Sequence, residues 1–259
     1  MEYPVLAGLF QGVASFISRN TYFLVDRVLP EVGWYFYVTV FILSVIWVAT
    51  VRMVAELAGN RIWDTLLVVG SPLLIMHSFT NWDIPSIFFA VAAIYAARNK
   101  KFWLAGVMIG LGTAFKMWPI FALGAYLVVA LRKRDLVPFL KMVAATVVSW
   151  VAVNLPIYLR DPEAWGEFRR LNTDRSWEWT TIYAVFSRIT GWAGFDSGDG
   201  APVILNAVTL VLFLAGCAAV LVMGLKAPRT PRIAELLTLI VGFFLLFNKV
   251  WSPQYSIWL

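Results

Sequence analysis

A run without a single charged side chain extends from Val203 to Leu225. An α-helix needs about 20 apolar residues to cross the hydrocarbon core of a bilayer, so this run can form a transmembrane helix. Composition extends the argument to the whole chain, because 61% of its 259 residues are hydrophobic and only 14% are charged. Soluble domains have an apolar share of about 45–50%. The chain is therefore predicted to be an all-α bundle of transmembrane helices.

Other apolar stretches, bounded by charged or turn-forming residues, predict further spans. They run from Trp34 to about Val54, from about Ile62 to His77, from Ile84 to Ala97, from about Leu136 to Leu159 and from Ile233 to Phe247. With the segment 102–131 counted as two short helices, the bundle has about eight spans. The sequence contains no evident internal repeat, so residues 1–259 are predicted to form a single integral membrane domain.

The segment 102–131 is predicted to be a helical hairpin and not one long tilted span. Basic residues flank it on both sides: Arg98, Lys100 and Lys101 before it, and Arg132, Lys133 and Arg134 after it. Because cytoplasmic loops are enriched in Lys and Arg, both clusters should lie on the same side of the membrane. The tip is predicted at Lys116-Met117-Trp118-Pro119, since a lysine at mid-bilayer would cost about 2.5–3.5 kcal/mol.

Two segments are predicted to lie outside the bilayer on the other face. Residues 1–33 form an external loop with an interfacial helix, because the apolar residues from Leu6 to Ile17 recur on one helical face. Residues 160–201 form the only large polar segment and are predicted to be a large external loop. Its first part, around Trp165, is expected to be a second interfacial helix, and its second part to contact an acceptor.

The net charge of +6 is interpreted loop by loop, since Lys and Arg mark the cytoplasmic side of a membrane protein. In the predicted topology the cytoplasmic segments hold most of these cations. The opposite face is slightly acidic and carries Glu2, Asp83, Lys116, Lys249 and the loop 160–201. The basic charge therefore indicates orientation in the plasma membrane and not binding to nucleic acid, and function is expected on the extracytoplasmic face.

His77 is the only histidine and Cys217 the only cysteine. A zinc site built from clustered histidines and cysteines is therefore excluded, and any metal would need carboxylate ligands. No metal site and no cofactor are predicted.

Three polar motifs interrupt the apolar pattern on the predicted outer face. They are Glu2-Tyr3-Pro4-Val5-Leu6, the hairpin tip at Lys116, and Asn248-Lys249-Val250-Trp251-Ser252-Pro253-Gln254-Tyr255. Irregular backbone at membrane depth is tolerated only against protein or a water-filled cavity, so the motifs predict a shared cleft. Two lysines beside such a cleft suit a phosphate that stays at the lipid surface.

These motifs, with the run Gly110-Leu111-Gly112-Thr113-Ala114-Phe115 before the hairpin tip, resemble those of GT-C membrane glycosyltransferases. They are most similar to the polyprenyl-phosphate-mannose-dependent mannosyltransferases of glycosyltransferase family 87, in particular the actinobacterial ones. The resemblance spans nearly the whole chain in the same order. It implies inverting transfer of a sugar, expected to be mannose, from a polyprenyl-phosphate donor to a glycolipid or glycan acceptor.

The resemblance also implies roles for single residues. Glu2 would act as the catalytic base that takes the proton of the acceptor hydroxyl. Lys249 and Lys116 would hold the departing phosphate, and Arg175 or Arg170 would clamp it.

Four further residues are candidates for contacting or orienting the acceptor. Asp83 could orient the acceptor or simply cap the helix that follows it, and capping is the favoured interpretation. Gln254 and Tyr255 belong to the last motif, and Trp177 belongs to the large loop.

Members of the resembled family carry a span before the acidic motif and further spans after Ser-Pro-Gln-Tyr. The sequence is therefore expected to be a fragment that lacks flanking spans at both ends. A transporter or flippase for lipid-linked sugars, and a non-catalytic membrane assembly partner, are the alternatives. Transporters usually show internal repeats and charges near mid-bilayer, whereas the charges here gather at one face.

Overall fold

The computed structural model describes residues 3–196 and 200–259, and Glu2 lies outside the described residues. Within these ranges the chain forms α-helices and short 3₁₀ segments and no β-strand. The helices are α1 (Val5–Thr21), α2 (Glu31–Ala58), α3 (Thr65–Val69), α4 (Pro72–His77), α5 (Asp83–Arg98), α6 (Phe102–Phe115), α7 (Phe121–Lys133), α8 (Val137–Arg160), α9 (Pro162–Asp174), α10 (Ile182–Thr190), α11 (Val203–Lys226) and α12 (Ile233–Phe247). The 3₁₀ segments are Tyr22–Leu24, Gly59–Asp64, Trp118–Ile120 and Pro253–Trp258. The all-α fold is confirmed.

Three helical segments of the described chain are long and apolar enough to cross a membrane, and they are Glu31–Val69, Val137–Arg160 and Val203–Lys226. The helices α6 and α12 are apolar but shorter. These helices are those of an all-α transmembrane helix bundle.

The stretch from Ile62 to His77 is not the single continuous span that its hydrophobicity predicts. Backbone angles at Arg61 are non-helical, and α3 ends at Val69 before Pro72 starts α4. Proline disfavours helical geometry in the residue before it, and Ser71 accordingly has an extended ψ of 124°. The prediction of an uninterrupted helix is wrong here because hydrophobicity does not report the steric effect of Pro72.

The hairpin at 102–131 is confirmed. Helix α6 ends at Phe115, and Lys116 adopts extended geometry with φ −149° and ψ 146°. A short 3₁₀ segment from Trp118 to Ile120 then leads into α7. Pro119 is compatible with this turn because it lies at a helix start, where its missing N–H costs nothing.

Close packing of α6 on α8 fixes the position of this hairpin. A Cβ atom added to Gly106 would lie 2.3 Å from the Met142 carbonyl oxygen, so only glycine allows the two backbones to approach this far. The Thr146 hydroxyl donates a 3.0 Å hydrogen bond across the interface to the Gly106 carbonyl. Small residues and such bonds are typical of helix contacts in membranes, where the hydrophobic effect does not drive helices together.

The bundle has two chemically different ends. At one end the Tyr95 hydroxyl and the Arg98 guanidinium bind Glu56, and Arg132 donates to carbonyl groups at the end of α11. Helix α5 runs from this end over 16 residues, about 24 Å, to Asp83. The hairpin tip lies at the same end as Asp83, so α5 and α6 bring two of the polar motifs together.

Helix α1 contacts the bundle through small residues. Ala7, Ala14 and Ser18 are buried, whereas Val13 and Phe16 are exposed to 56% and 69%. Part of the apolar face, including Val13 and Phe16, therefore points away from the protein, whereas Val5 is buried and Phe10 packs against the bundle. A helix lying in the membrane interface would present its apolar face in this way, and this interpretation of α1 stays a prediction.

Candidate active site

An ion pair between Asp83 and Lys116 lies at the junction of α5 and the hairpin tip. Asp83 is fully buried, Lys116 is 8% exposed, and the distance from Lys116 Nζ to Asp83 Oδ1 is 2.5 Å. A buried charge is tolerated when an opposite charge compensates it. The pair thus joins the first turn of α5 to the turn that follows α6.

Aromatic residues of the Pro253–Trp258 segment cover this ion pair. The Trp258 indole donates a 2.7 Å hydrogen bond from Nε1 to Asp83 Oδ1. The Lys116 ammonium lies 5.3 Å from the centre of the Tyr255 ring and 5.4 Å from that of Trp258, which are cation–π distances. Trp118 stacks on Trp258 at 5.6 Å. Sequence reasoning identified Tyr255 but missed Trp258, because an aromatic residue near a predicted span is usually an interface anchor.

The second carboxylate oxygen of Asp83 has no hydrogen-bond partner among the described residues, although it is buried. The side chain makes no capping hydrogen bond to α5, so the favoured capping role is wrong. Its position in the first turn of α5 is nevertheless favourable for an anion. An ionised carboxylate with one oxygen fixed and the other unpaired can accept a hydrogen bond from a hydroxyl group.

A second cluster forms around Lys249, which follows α12. Its side-chain nitrogen donates to the backbone carbonyls of Thr173, at 3.1 Å, and of Arg175. These carbonyls lie at the C-terminal end of α9, where the helix dipole favours a cation. Lys249 is 6% exposed, so the large loop holds a nearly buried ammonium group.

Glu178 attaches the large loop to the last motif. Its backbone N–H donates to the Lys249 carbonyl at 2.9 Å, and its carboxylate accepts a 3.2 Å hydrogen bond from the Trp251 N–H. The Thr180 hydroxyl donates to the Trp251 carbonyl at 2.6 Å. Sequence reasoning did not select Glu178, because no spacing rule links residues more than 70 positions apart.

The two candidate arginines lie in different surroundings. Arg175 pairs with Glu178 at 3.5 Å, beside the carbonyl group that binds Lys249. Arg170 is on α9, where it pairs with Glu167 at 2.6 Å and with Asp174 at 3.4 Å, and its side chain is 61% exposed. The structure therefore places Arg175 within the Lys249 cluster, and it places Arg170 in a surface network beside it.

Tyr255 packs against Lys116 and is influenced by charges of both clusters. The charges of Asp83, Glu178 and Arg175 all act on its hydroxyl group. Burial, reinforced by the two carboxylates, raises the pKa of Tyr255 to about 12, so the phenol stays protonated at neutral pH. Its neighbour Gln254 accepts a 2.5 Å hydrogen bond from Ser252.

Both lysines have lowered pKa values. Burial lowers the pKa of Lys116, in the hairpin turn, and the Asp83 carboxylate opposes this shift. Burial also lowers the pKa of Lys249, and the nearby positive charge of Arg175 adds to the decrease. An anion near Lys249 would therefore restore a more ordinary ammonium pKa.

The N-terminal motif reaches the same end of the bundle. The Phe10 ring lies 5.8 Å from that of Trp82 and 5.7 Å from that of Phe115, which precede Asp83 and Lys116. The Tyr3 hydroxyl makes a small contribution to the raised pKa of Tyr255. Helix α1, which follows the N-terminal motif, therefore packs at the end of the bundle that holds Asp83 and Lys116, and Glu2 itself lies outside the described residues. Trp177 is half-buried in the large loop next to Gly194.

Comparison with known proteins identifies the family. The sequence model of glycosyltransferase family 87 matches residues 3–250. Neither the curated proteins nor the solved structures contain a match. The matched range covers nearly all of the chain, including Asp83, Lys116 and Lys249. The chain belongs to glycosyltransferase family 87 and is a membrane glycosyltransferase of the GT-C type.

Proposed function

We propose that this glycosyltransferase transfers a sugar, expected to be mannose, from a polyprenyl-phosphate donor to a hydroxyl group of a glycolipid or glycan. The reaction would take place at the outer face of the plasma membrane and invert the anomeric centre. The observation that supports this most is the convergence of two nearly buried lysines and a buried carboxylate at one end of an apolar helix bundle. Such an arrangement suits a phosphate-bearing lipid and a hydroxyl acceptor.

The donor phosphate would bind at Lys249. When the bond from the anomeric carbon to the phosphate oxygen breaks, its electron pair stays on the phosphate, and the added negative charge needs stabilisation. Cations already fixed in a buried site provide this without reorganisation during the reaction. The carbonyls of Thr173 and Arg175 hold the ammonium in place. The Arg175 side chain would break its ion pair with Glu178 and bind the phosphate instead.

Lys116 and Arg170 would be secondary ligands of the phosphate. Lys116 is paired with Asp83 and covered by Tyr255 and Trp258, so it would reach a phosphate only after these residues shift. Arg170 would need to break its ion pair with Glu167. This pair is exposed to solvent and therefore weak.

Glu2 would act as the base. It would take the proton of the acceptor hydroxyl as the oxygen attacks the anomeric carbon, and this single displacement gives inversion. The surroundings of the N-terminal region support the assignment, since Phe10 packs on Trp82 and Phe115, the residues that directly precede Asp83 and Lys116.

Asp83 would orient the acceptor together with Gln254, Tyr255 and Trp177. Lys116 and Trp258 fix its Oδ1 atom, so Oδ2 could accept a hydrogen bond from an acceptor hydroxyl. The Tyr255 phenol stays neutral and can donate to a sugar oxygen.

The test is transfer of radiolabelled sugar from a polyprenyl-phosphate donor in membranes that contain the full-length protein. The Glu2→Gln variant should lose transfer at normal expression, and Glu31→Gln, an exposed acid in the same predicted external region, serves as the control. Unchanged transfer by Glu2→Gln would overturn Glu2 as the base. Transfer that requires a nucleotide sugar would overturn the proposed donor.

A further inference from the structure

Helix α10 of the large loop is amphipathic and is fixed next to the Lys249 cluster. Thr181 caps its start through the Ala184 N–H, and Gly191 ends it in the left-handed conformation with φ 73°. The Tyr183 hydroxyl donates a 2.7 Å hydrogen bond to the carbonyl of Phe247, the last residue of α12. Lys249 follows two residues later, which corresponds to about 7 Å of chain at most.

An apolar cavity of about 440 Å³ opens between α10 and the loop that follows it. Its walls are Ile182, Tyr183, Phe186, Trp192 and Phe195. Trp192 contacts two other aromatic residues of the cavity. Its ring centre lies 5.6 Å from that of Phe186 and 4.5 Å from that of Phe195. The volume lies within the range of about 300–1,000 Å³ that is typical of small-molecule sites.

A second link between the cavity and Lys249 runs through Asp196. Asp196 follows Phe195, and the charge of Asp196 acts on Lys249. The Asp196 carboxylate is itself held by the N–H groups of Ile204, at 3.1 Å, and Leu205, at 3.0 Å, at the start of α11. Both sides of the cavity are therefore tied to the elements that surround the ammonium group.

The described residues offer two hydrogen-bond acceptors to the Lys249 ammonium, which can donate three hydrogen bonds. A cation with remaining donor capacity next to an apolar aromatic cavity fits an amphiphilic anion. We propose that the cavity holds the first isoprene units of the donor's polyprenyl chain while the phosphate binds Lys249. This inference rests on the proposed function and names where the lipid part of that donor lies.

The connectivity of the ligand favours an isoprenoid over a bilayer phospholipid. In a prenyl phosphate the hydrocarbon chain begins at the phosphate oxygen, so charge and apolar chain are directly joined. In a phospholipid a glycerol and ester groups separate the phosphate from the acyl chains. The wall residue Tyr183 is hydrogen-bonded to Phe247, two positions before Lys249, so the cavity and the cation are arranged as in the first geometry.

Photo-crosslinking tests this proposal without sugar transfer. The full-length protein in nanodiscs is irradiated with a photoreactive isoprenyl phosphate that carries no sugar, and the labelled residues are mapped by mass spectrometry. Labelling should fall within residues 182–195, should be displaced by unlabelled polyprenyl phosphate, and should fall about tenfold in Lys249→Met, a loss equivalent to one lost charge-assisted contact. Phe186→Ala should lower labelling several-fold, whereas Ile189→Ala, on the same helix but outside the cavity and 79% exposed, should not.

Labelling elsewhere, or equal labelling by a photoreactive prenol without phosphate, would overturn the proposal. Equal displacement by phosphatidylcholine would show that the cavity holds bilayer lipid instead. The sugar-transfer assay distinguishes a failure of the cavity proposal from a failure of the proposed function. Transfer from the polyprenyl-phosphate donor with labelling outside the cavity overturns only the cavity, whereas absence of transfer overturns the proposed function. Lys249→Arg keeps the positive charge and should label more strongly than Lys249→Met, whereas an equal loss in both variants would overturn charge recognition at Lys249.

Discussion

The Trp258 indole and the Lys116 ammonium bind the same oxygen of Asp83, at 2.7 Å and 2.5 Å, and the other oxygen has no partner among residues 3–196 and 200–259. The carboxylate is therefore held through its Oδ1 atom alone. A carboxylate held in this way presents its second oxygen at a defined position, which is what orienting a substrate hydroxyl requires. The relationship joins α5, the hairpin tip and the last described segment of the chain.

Replacing Trp258 with Phe should remove this orientation and keep most of the ring packing. The lost hydrogen bond to a charged group should lower the free energy of unfolding by about 1.5–3 kcal/mol. If Asp83 orients the acceptor, the acceptor KM should rise with little change in the donor KM. Kinetics with both substrates varied checks this, with the 77%-exposed Trp63→Phe as the matched control. Equal effects on both KM values would argue for a purely structural role.

Removing only one partner of the buried pair should be more damaging than removing both. Lys116→Met leaves the Asp83 carboxylate buried and uncompensated, which should cost about 3–5 kcal/mol of unfolding free energy. The double variant Asp83→Asn with Lys116→Met should recover a large part of that loss. Thermal unfolding of the detergent-solubilised protein, followed by tryptophan fluorescence, measures both. Additive losses in the double variant would contradict the direct coupling of the two charges.

Much of this architecture follows from local sequence patterns. Helix α12 has the bounds that were predicted for it, Ile233–Phe247, because its apolar run begins after Arg232 and ends before polar Asn248. The hairpin tip at Lys116 was also predicted correctly, since a lysine and a proline inside an apolar segment favour a turn. Both features depend on neighbouring residues alone.

The internal arrangement of the site depends on contacts between distant residues and could not be predicted in the same way. Trp258 reaches Asp83 across 175 positions, and Glu178 reaches Trp251 across 73. No periodicity records such pairings. The break before Pro72 was missed for a different reason, because its local steric effect was outweighed by the hydrophobicity of the segment.

The α6–α8 contact should tolerate no side chain at Gly106. In Gly106→Ala the new Cβ would lie 2.3 Å from a backbone oxygen that cannot rotate away, so the helices must separate. Overpacking of this kind costs about 1–3 kcal/mol. Gly166→Ala on α9 is the control, since a Cβ there has no atom within 4 Å and alanine is the better helix former. The thermal midpoint should fall in the first variant and stay equal or rise in the second, and a stable Gly106→Ala protein would show that the interface is looser than described.

The pKa of Lys249 is lowered, so this lysine loses its proton at a lower pH than an ordinary lysine does. Binding of the donor should therefore begin to weaken at that lower pH. Phosphate binding needs the protonated ammonium, and burial reduces the pKa of Lys249 below the ordinary value of 10.5. As the pH rises through this lowered value, Lys249 loses its charge, and kcat/KM for the donor, which reports the free enzyme, should fall. Tyr255, with a pKa of about 12, stays protonated over the same range. A Lys249→Arg variant remains charged throughout, so its kcat/KM should lack this alkaline decrease, whereas an identical decrease in both proteins would assign the titration to another group.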